Sequence, residues 1–289
     1  MKLRVSVGSA IALGLMKGSM KVEPGITYLM LPGICDAKCS YCTWGKEDYL
    51  SRVRWPEFDV ELLKGVKNYC LQTVEKKGLE RELEAVLGAL GGDGDVAIAH
   101  LTPERAEILE KNAVRQVGIG LDACTAELYK KHKSGLSWEK ALDSFGYDFD
   151  FACHIILGLG ESDEDFLRLT QSMKDKNVKL ALFAYTPIKG KKPVGYISLR
   201  RHRALQLASY LIEKEKASIE DFEFKKGKLA VMPSFFDERA FLTRGCENCN
   251  RPFYNERAGT EPYNFPAGCF GGYDLMQEVK EYLGSDNDS

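Results

Sequence analysis

The stretch Ile26-Thr27-Tyr28-Leu29-Met30-Leu31-Pro32-Gly33-Ile34-Cys35-Asp36-Ala37-Lys38-Cys39-Ser40-Tyr41-Cys42 decides how the rest of the chain is read. Its first six residues form an uninterrupted apolar run, which reads as a strand buried on both faces. Pro32-Gly33 ends that strand. Three cysteines follow in a C-x3-C-x2-C spacing, with an aromatic residue just before the last. The spacing brings three thiolates to one small volume. Thiolates are the soft ligands that iron–sulfur clusters require, and zinc accepts them too when a fourth ligand is present. No fourth Cys or His stands close by to complete a tetrahedral zinc site. Three thiolates on a four-iron, four-sulfur cluster leave one iron open to a small molecule.

Beyond this stretch, apolar runs alternate with charged helical ones. Strands are expected at 68–74, 96–100, 116–121, 151–157 and 179–184, and helices at 76–90, 103–112, 126 onward, 137–144, after Ser162 and over 199–215. Pro103 opens one helix, and Ser162-Asp163-Glu164-Asp165 caps another with a hydroxyl and three carboxylates. Six β–α units in a row argue an α/β fold with a parallel sheet. Six are too few for a closed eight-unit barrel. Three segments are expected: an N-terminal helical segment over 1–25, a partial barrel over 26–218, and an irregular extension over 219–289 that opens with a hairpin turning at Lys226-Gly227. The opening residues pass superficially for a signal peptide. Gly8, Ser9 and Gly14 interrupt the apolar part, no cleavage site follows, and an amphipathic helix closing the bottom of the barrel is expected instead.

At 289 residues and 44% hydrophobic, the chain can bury one large core, or one core plus an appendage. A net charge of −2 gives no sign of a nucleic-acid or membrane partner. Nine cysteines are an odd number, and their spacing suggests metal ligation in a reducing cytoplasm rather than disulfides.

A second cysteine set lies in the extension: Cys246-x2-Cys249, with Cys269 downstream. Irregular backbone around such a motif is usually organised by a metal. No His follows His202, so zinc lacks an evident fourth ligand, whereas a cluster tolerates three thiolates and one non-cysteine ligand. Arg244, Ser234 and Arg251 are nearby candidates for that ligand. Cys70, Cys124 and Cys153 read as small buried residues, and His154 as a packed or hydrogen-bonded barrel residue.

The cysteine triad resembles the signature of the radical S-adenosylmethionine (SAM) enzymes. The opening Gly8-Ser9-Ala10-Ile11-Ala12-Leu13-Gly14-Leu15, the run Leu50-Ser51-Arg52-Val53, the strand Cys70-Leu71-Gln72, the turn Ile156-Leu157-Gly158-Leu159-Gly160-Glu161 and the block Cys249-Asn250-Arg251-Pro252-Phe253-Tyr254-Asn255 narrow the likeness. Together they resemble the biotin-synthase-related proteins, and most closely the subunits of two-component lipoyl synthases found mainly in archaea. That resemblance implies a six-unit radical SAM partial barrel and two four-iron clusters. Cys35, Cys39 and Cys42 would hold the SAM cluster and act in catalysis; Cys246, Cys249 and Cys269 would hold an auxiliary, sulfide-donating cluster. SAM would be cleaved to a 5′-deoxyadenosyl radical, and sulfur inserted into an octanoyl or mercapto-octanoyl chain on a carrier-domain lysine. The implied partners are that lipoyl carrier domain, a second radical SAM subunit and a reducing protein such as ferredoxin.

By position, the resemblance also implies SAM contacts at Tyr41, Gln72, Asp122, Ile156 and Gly158. Asp122 would accept hydrogen bonds from the ribose hydroxyls, and Glu161 would order a turn. A biotin-synthase-like sulfurtransferase using Cys70, Cys124 and Cys153 is one alternative, but Cys153 is one residue out of register for it. A radical enzyme with an electron-relay cluster is another. Arg52, Arg54, Lys189, Lys191, Lys192 and Arg251 fall on loops expected at the barrel mouth, as solvated surface or as a guide for an acidic carrier.

Overall fold

The sheet is built from apolar runs paired in sequence order, so that the strands follow one another with few exceptions. The computed structural model describes residues 1–20, 22–43, 54–188, 190–250, 261–266 and 271–285. Its strands, in chain order, are β1 (Lys2–Val5), β2 (Thr27–Met30), β3 (Lys38–Cys39), β4 (Glu57–Asp59), β5 (Tyr69–Gln72), β6 (Gly94–Ile98), β7 (Gln116–Asp122), β8 (Lys133–Ser134), β9 (Asp150–Leu157), β10 (Lys179–Ala184), β11 (Glu223–Lys225) and β12 (Lys228–Val231). The α-helices are α1 (Val7–Ala12), α2 (Leu79–Leu90), α3 (Pro103–Lys111), α4 (Ala126–His132), α5 (Trp138–Asp143), α6 (Asp163–Asp175), α7 (Leu199–Glu213) and α8 (Leu275–Gly284).

Eight strands form one sheet in the order β10-β9-β7-β6-β5-β2-β1-β4. From β2 to β10 every neighbouring pair is parallel. The sheet does not close on itself: β10 and β4 remain its edges. This is the partial barrel expected from the six β–α units. α2 illustrates why the helices cover it. Leu79, Leu83, Val86, Leu87 and Leu90 recur at helical spacing and are all buried. The capping box at Ser162 forms as the sequence suggested, with Asp165 as its return partner.

Burial alternates along the parallel strands. Leu71, Val96, Ile119, Ile155 and Leu182 face outward and are buried under the outer layer. The alternate positions Cys70, Gln72, Ala97, Gly120, Ile156 and Phe183 are only partly covered. Side chains of one parity line one face of a strand. The inner face of the open barrel therefore borders a lumen that solvent reaches.

Two expectations are corrected. The N-terminal segment is not a helix closing the barrel: Lys2–Val5 is a strand, antiparallel to both β2 and β4, and the helix after it, Val7–Ala12, has six residues. The extension is more regular than its composition suggested. The β11–β12 hairpin turns at Lys226-Gly227 as expected, but α8 follows the loops and buries Leu275, Val279 and Tyr282. One apolar core takes residues from Leu3 to Tyr282. No helix among the described residues is long and apolar enough to cross a membrane.

The extension runs along the free edge of β10. Asn264 Nδ2 donates to Leu182 O at 3.1 Å. Gly245, with φ of +95°, lies where a Cβ would come within 2.5 Å of Leu180 O, so only glycine permits this approach. Covering the edge removes an unpaired ladder from solvent. Asp163, 2% exposed, fastens the extension to the barrel. It accepts from Leu229 N at 2.8 Å, Tyr282 Oη at 2.5 Å and Arg201 Nε at 2.8 Å. Asp163→Ala leaves the Nε of Arg201, a buried amide and a buried phenol without their acceptor. It is expected to cost about 3 kcal/mol, read as a lower midpoint in denaturant unfolding.

Candidate functional site

The loop carrying Cys35, Cys39 and Cys42 leaves the C-terminal end of β2, and groups at the same ends of other strands hold it. Lys76 Nζ donates to Pro32 O at 2.7 Å, and Asp36 N to Glu75 O at 2.6 Å. β3 pairs antiparallel with β8, setting Cys39 opposite Lys133. Ser40 N donates to His132 O at 2.9 Å, Cys42 N to Cys39 O at 3.2 Å, and Lys191 Nζ to Cys42 O at 3.2 Å. His132 bridges two loops. Its Nε2 lies 2.9 Å from Leu159 O and its Nδ1 lies 2.7 Å from Ser40 Oγ. A carbonyl only accepts, so Nε2 carries the proton and Nδ1 accepts from the serine. Burial lowers the pKa of this imidazole, which favours the neutral form the bridge needs.

Burial pushes the Cys35 thiol up and pushes Cys39 up to about 11, with Lys133 pulling Cys39 down and Asp122 pushing it up. A thiolate in such a place needs a positive partner at contact distance, which a metal supplies. All three cysteines are free. Among the described residues, no three His, Cys, Asp or Glu side chains converge on a single ion-sized point. A four-iron cluster asks less, since each thiolate takes its own iron. The donor set and its fixed loop fit such a cluster.

Asp122 ends β7 with φ of 65°, after a shift in register between Gly120 and Asp122. Its Oδ2 accepts from Tyr41 Oη at 2.7 Å and from Lys133 Nζ at 2.7 Å. Lys133 is 3% exposed and also donates to Gly120 O. Burial opposes its charge, but Asp122, Tyr129 and Cys39 together outweigh burial and its pKa is raised. Burial likewise holds the Tyr41 phenol protonated, and thus a donor. Neither donor occupies Oδ1. Gln72 ends β5, while Ile156 lies on the inner face near the end of β9. Gly158 follows β9, and its N–H, with that of Leu159, donates to Glu161 at 2.7 and 2.9 Å. Tyr41, Gln72, Asp122, Ile156 and Gly158 thus share one rim with the cysteine loop. Lys133 and His132 were not singled out in the sequence, where they are part of a basic run, Lys130-Lys131-His132-Lys133.

Cys246 and Cys249 of the second cysteine set lie at the opposite end. Cys269 and Arg251 fall outside the described residues, as do Arg52 and Lys189. Gln116, the first residue of β7, clamps the Cys246 loop: its Nε2 donates to Gly245 O at 3.2 Å and its Oε1 accepts from Glu247 N at 3.1 Å. Asn250 ties the same loop to the approach to β2, accepting from Gly25 N at 3.0 Å and donating to Glu23 O at 2.7 Å. Cys249 Sγ is 3.3 Å from Tyr28 Oη, and Cys246 Sγ is 3.5 Å from His154 Nε2. The loop forms a floor under the lumen, with its sulfurs against inward residues of β2 and β9. Two thiols lie here with a nitrogen and a phenol beside them, and among the described residues they are not part of any group of three His, Cys, Asp or Glu side chains that could hold a single metal ion. Arg244 turns away from this floor, to Glu213 and to Ser209 Oγ at 3.0 Å, and Ser234 is exposed. Cys153 lies on the face of β9 opposite to His154, so it does not join Cys70 in the lumen.

No family model and no curated protein matches the chain. Among solved structures, the chain is similar to methylornithine synthase (PylB), with a TM-score of 0.51 and 14% identity over 65% of this chain and 62% of that one. It is also similar to HydG, a maturase of the [FeFe]-hydrogenase, with a TM-score of 0.50 and 14% identity over 64% and 49% of the two chains. HydG from Carboxydothermus hydrogenoformans gives a TM-score of 0.48 and 19% identity over 65% and 51%. The chain thus spans about half of HydG and somewhat more of PylB. What is shared is architecture: this chain has an open, mostly parallel partial barrel like that of methylornithine synthase.

Proposed function

We propose that the chain is a radical SAM enzyme that inserts sulfur into an octanoyl or mercapto-octanoyl chain on a carrier-domain lysine, as one subunit of a lipoyl synthase. One observation carries the reading. A C-x3-C-x2-C loop stands at the carboxyl ends of the parallel strands and a C-x2-C loop at their amino ends, with partly exposed inward residues of the same strands between them. A linear acyl chain along those inward residues would have a radical source above it and a sulfur source below. The shared fold and the cysteine spacing support the radical half; the resemblance of the C-terminal block supports the sulfur half.

Two four-iron clusters and SAM, when bound, would supply the electron, the 5′-deoxyadenosyl radical and the sulfide. The chain's own residues prepare the site. Cys35, Cys39 and Cys42 would hold one cluster, and Cys246, Cys249 and Cys269 the other. Asp122 would accept from the ribose hydroxyls through Oδ1, since Tyr41 and Lys133 both engage Oδ2. Lys133 sets its ammonium 2.7 Å from that carboxylate and fixes its orientation. Ala97, Gly120 and Ile156 leave room for, and apolar contact with, an adenine and an aliphatic chain. Lys191 and Lys192, beside the cysteine loop, would meet an acidic carrier domain. A second radical SAM subunit would make the other insertion, and a ferredoxin-like protein would supply electrons.

The test uses anaerobically reconstituted protein, SAM, a reductant and a peptide bearing octanoyl-lysine or its mercapto form. Wild type is expected to form 5′-deoxyadenosine and to add one sulfur to the peptide, read by mass. Cys35→Ala is expected to abolish both. Cys246→Ala is expected to keep 5′-deoxyadenosine and lose the sulfur. Thiolated product from Cys246→Ala contradicts the sulfur-donor role, and SAM cleavage without any mass gain in wild type contradicts sulfur insertion. Lys133→Met is expected to weaken SAM binding about tenfold or more, measured by equilibrium dialysis, because a charged partner of Asp122 is lost.

A further inference from the structure

We propose that the solvent face of the cysteine loop, carrying Ile34 and Lys38 and flanked by Lys77, Lys130 and Lys131, is the docking site of a small acidic one-electron carrier protein. This rests on the reading that Cys35, Cys39 and Cys42 hold a cluster that must be reduced before SAM is cleaved. It adds the place where the electron enters.

Two connections bring these residues to the loop. In the short ladder of β3 and β8, Lys38 stands opposite Ser134 and Cys39 opposite Lys133. Successive residues of a strand face opposite ways. Cys39 and Lys133 turn inward, where Lys133 meets Asp122, while Lys38 and Ser134 are exposed. The last turn of α4 holds Lys130 and Lys131, both exposed, and leads directly into β8. On the other flank Lys76 Nζ donates to Pro32 O at 2.7 Å and Asp36 N to Glu75 O at 2.6 Å. Those bonds seat the exposed Lys77 next to the residues before Cys35. Ile34, a large apolar side chain, is 55% exposed there. The cover over the thiolates is thin on this side: Ile34 directly precedes Cys35, Lys38 directly precedes Cys39, and both reach solvent.

The charge on this face differs from that of the chain as a whole, which is net −2. Several exposed cations elsewhere are paired, as Lys111 is with Glu84, Lys174 with Glu215 and Arg200 with Glu281. Lys76, beside the loop, is paired with Glu82. Lys38, Lys77, Lys130 and Lys131 have no salt bridge among the described residues. Asp36 and Glu127 are exposed acids on the same segments, and four lysines against two carboxylates leave the face positive. An acidic protein is steered to such a surface, with its on-rate raised about 10- to 1,000-fold at low salt. Electron-transfer partners use small contacts of this kind, below about 1,200 Å² of buried surface, and separate again after each electron. In the docked pair the carrier loses one electron and the cluster gains it; no proton moves and no bond is made. Lys191, assigned above to the carrier domain, reaches the other end of the loop at Cys42 O.

The experiment uses the full chain, reconstituted anaerobically, with a bacterial two-cluster ferredoxin as the probe. Binding of oxidised ferredoxin is measured by calorimetry. Formation of 5′-deoxyadenosine from SAM is measured with reduced ferredoxin and, separately, with dithionite, which is too small to need a docking face. Lys77→Glu/Lys130→Glu, one change on each flank, is expected to weaken ferredoxin binding and to slow the ferredoxin-driven rate by about tenfold or more, with the dithionite-driven rate unchanged. Added salt is expected to weaken binding to wild type more than to this variant. Lys176→Glu/Lys216→Glu, which reverses two exposed lysines away from the loop, is expected to change neither binding nor rate. Ferredoxin binding and a ferredoxin-driven rate that stay at the wild-type level in Lys77→Glu/Lys130→Glu overturn the assignment. A loss that dithionite shares overturns it too, since it marks damage to the loop. A variant that keeps its response to ferredoxin and loses only turnover of an octanoylated carrier domain gives the face to the carrier and overturns it as well. Absence of 5′-deoxyadenosine from wild type with dithionite overturns the radical SAM reading itself, and the dithionite arm separates that failure from the others.

Discussion

In a parallel sheet every strand delivers its carboxyl end to the same rim, and the rest of this molecule is arranged around that constraint. Segments far apart in sequence arrive together there: the cysteine loop after β2, Glu75 and Lys76 after β5, Asp122 at the end of β7, and Leu159 after β9. Their side chains and carbonyls tie the loop down. The constraint also has a converse. The amino ends of the same strands form a second rim, open unless something covers it, and the C-terminal extension folds under it with two cysteines.

The buried Lys133–Asp122 pair deserves its place in this arrangement because charge is scarce there. Lys133 is almost fully buried and stays charged because Asp122 faces it at 2.7 Å. The same lysine stands opposite Cys39 in the short β3–β8 ladder and lowers the cost of a thiolate there. One cation thus serves both the cysteine loop and the carboxylate that we propose meets the ribose. Tyr41, the aromatic residue of the cysteine spacing, adds a neutral donor to the same carboxylate oxygen. The aromatic position in the motif acquires a structural reason: its hydroxyl links the loop to β7.

Much of this was legible in the sequence where the signal is local. The strand Lys179–Ala184 and the hairpin at Lys226-Gly227 follow from apolar runs and turn residues, and the cap at Ser162 from a serine followed by carboxylates. β1 and β4 were not legible. They are short, and what makes them strands is pairing between Lys2 and Asp59 or between Arg4 and Met30, which no local window contains. α8 lies beyond a glycine- and aromatic-rich tract and shows only three buried positions, Leu275, Val279 and Tyr282. The site divides in the same way. The two cysteine motifs announce themselves by spacing. Lys133 and His154 do not, because a lysine in a basic run or a histidine in a strand gains meaning only from a partner brought across the fold, at Asp122 and Cys246 respectively.

The central claim is that one barrel carries two iron–sulfur sites, one at each rim. Iron and acid-labile sulfide per chain, after anaerobic reconstitution, test it most directly when wild type is compared with the variant lacking Cys246, Cys249 and Cys269. The account predicts about eight irons in wild type and about four in the variant, with sulfide falling in step. About four irons in both proteins would contradict it, leaving the lower cysteines a structural role and removing the sulfur source from beneath the lumen.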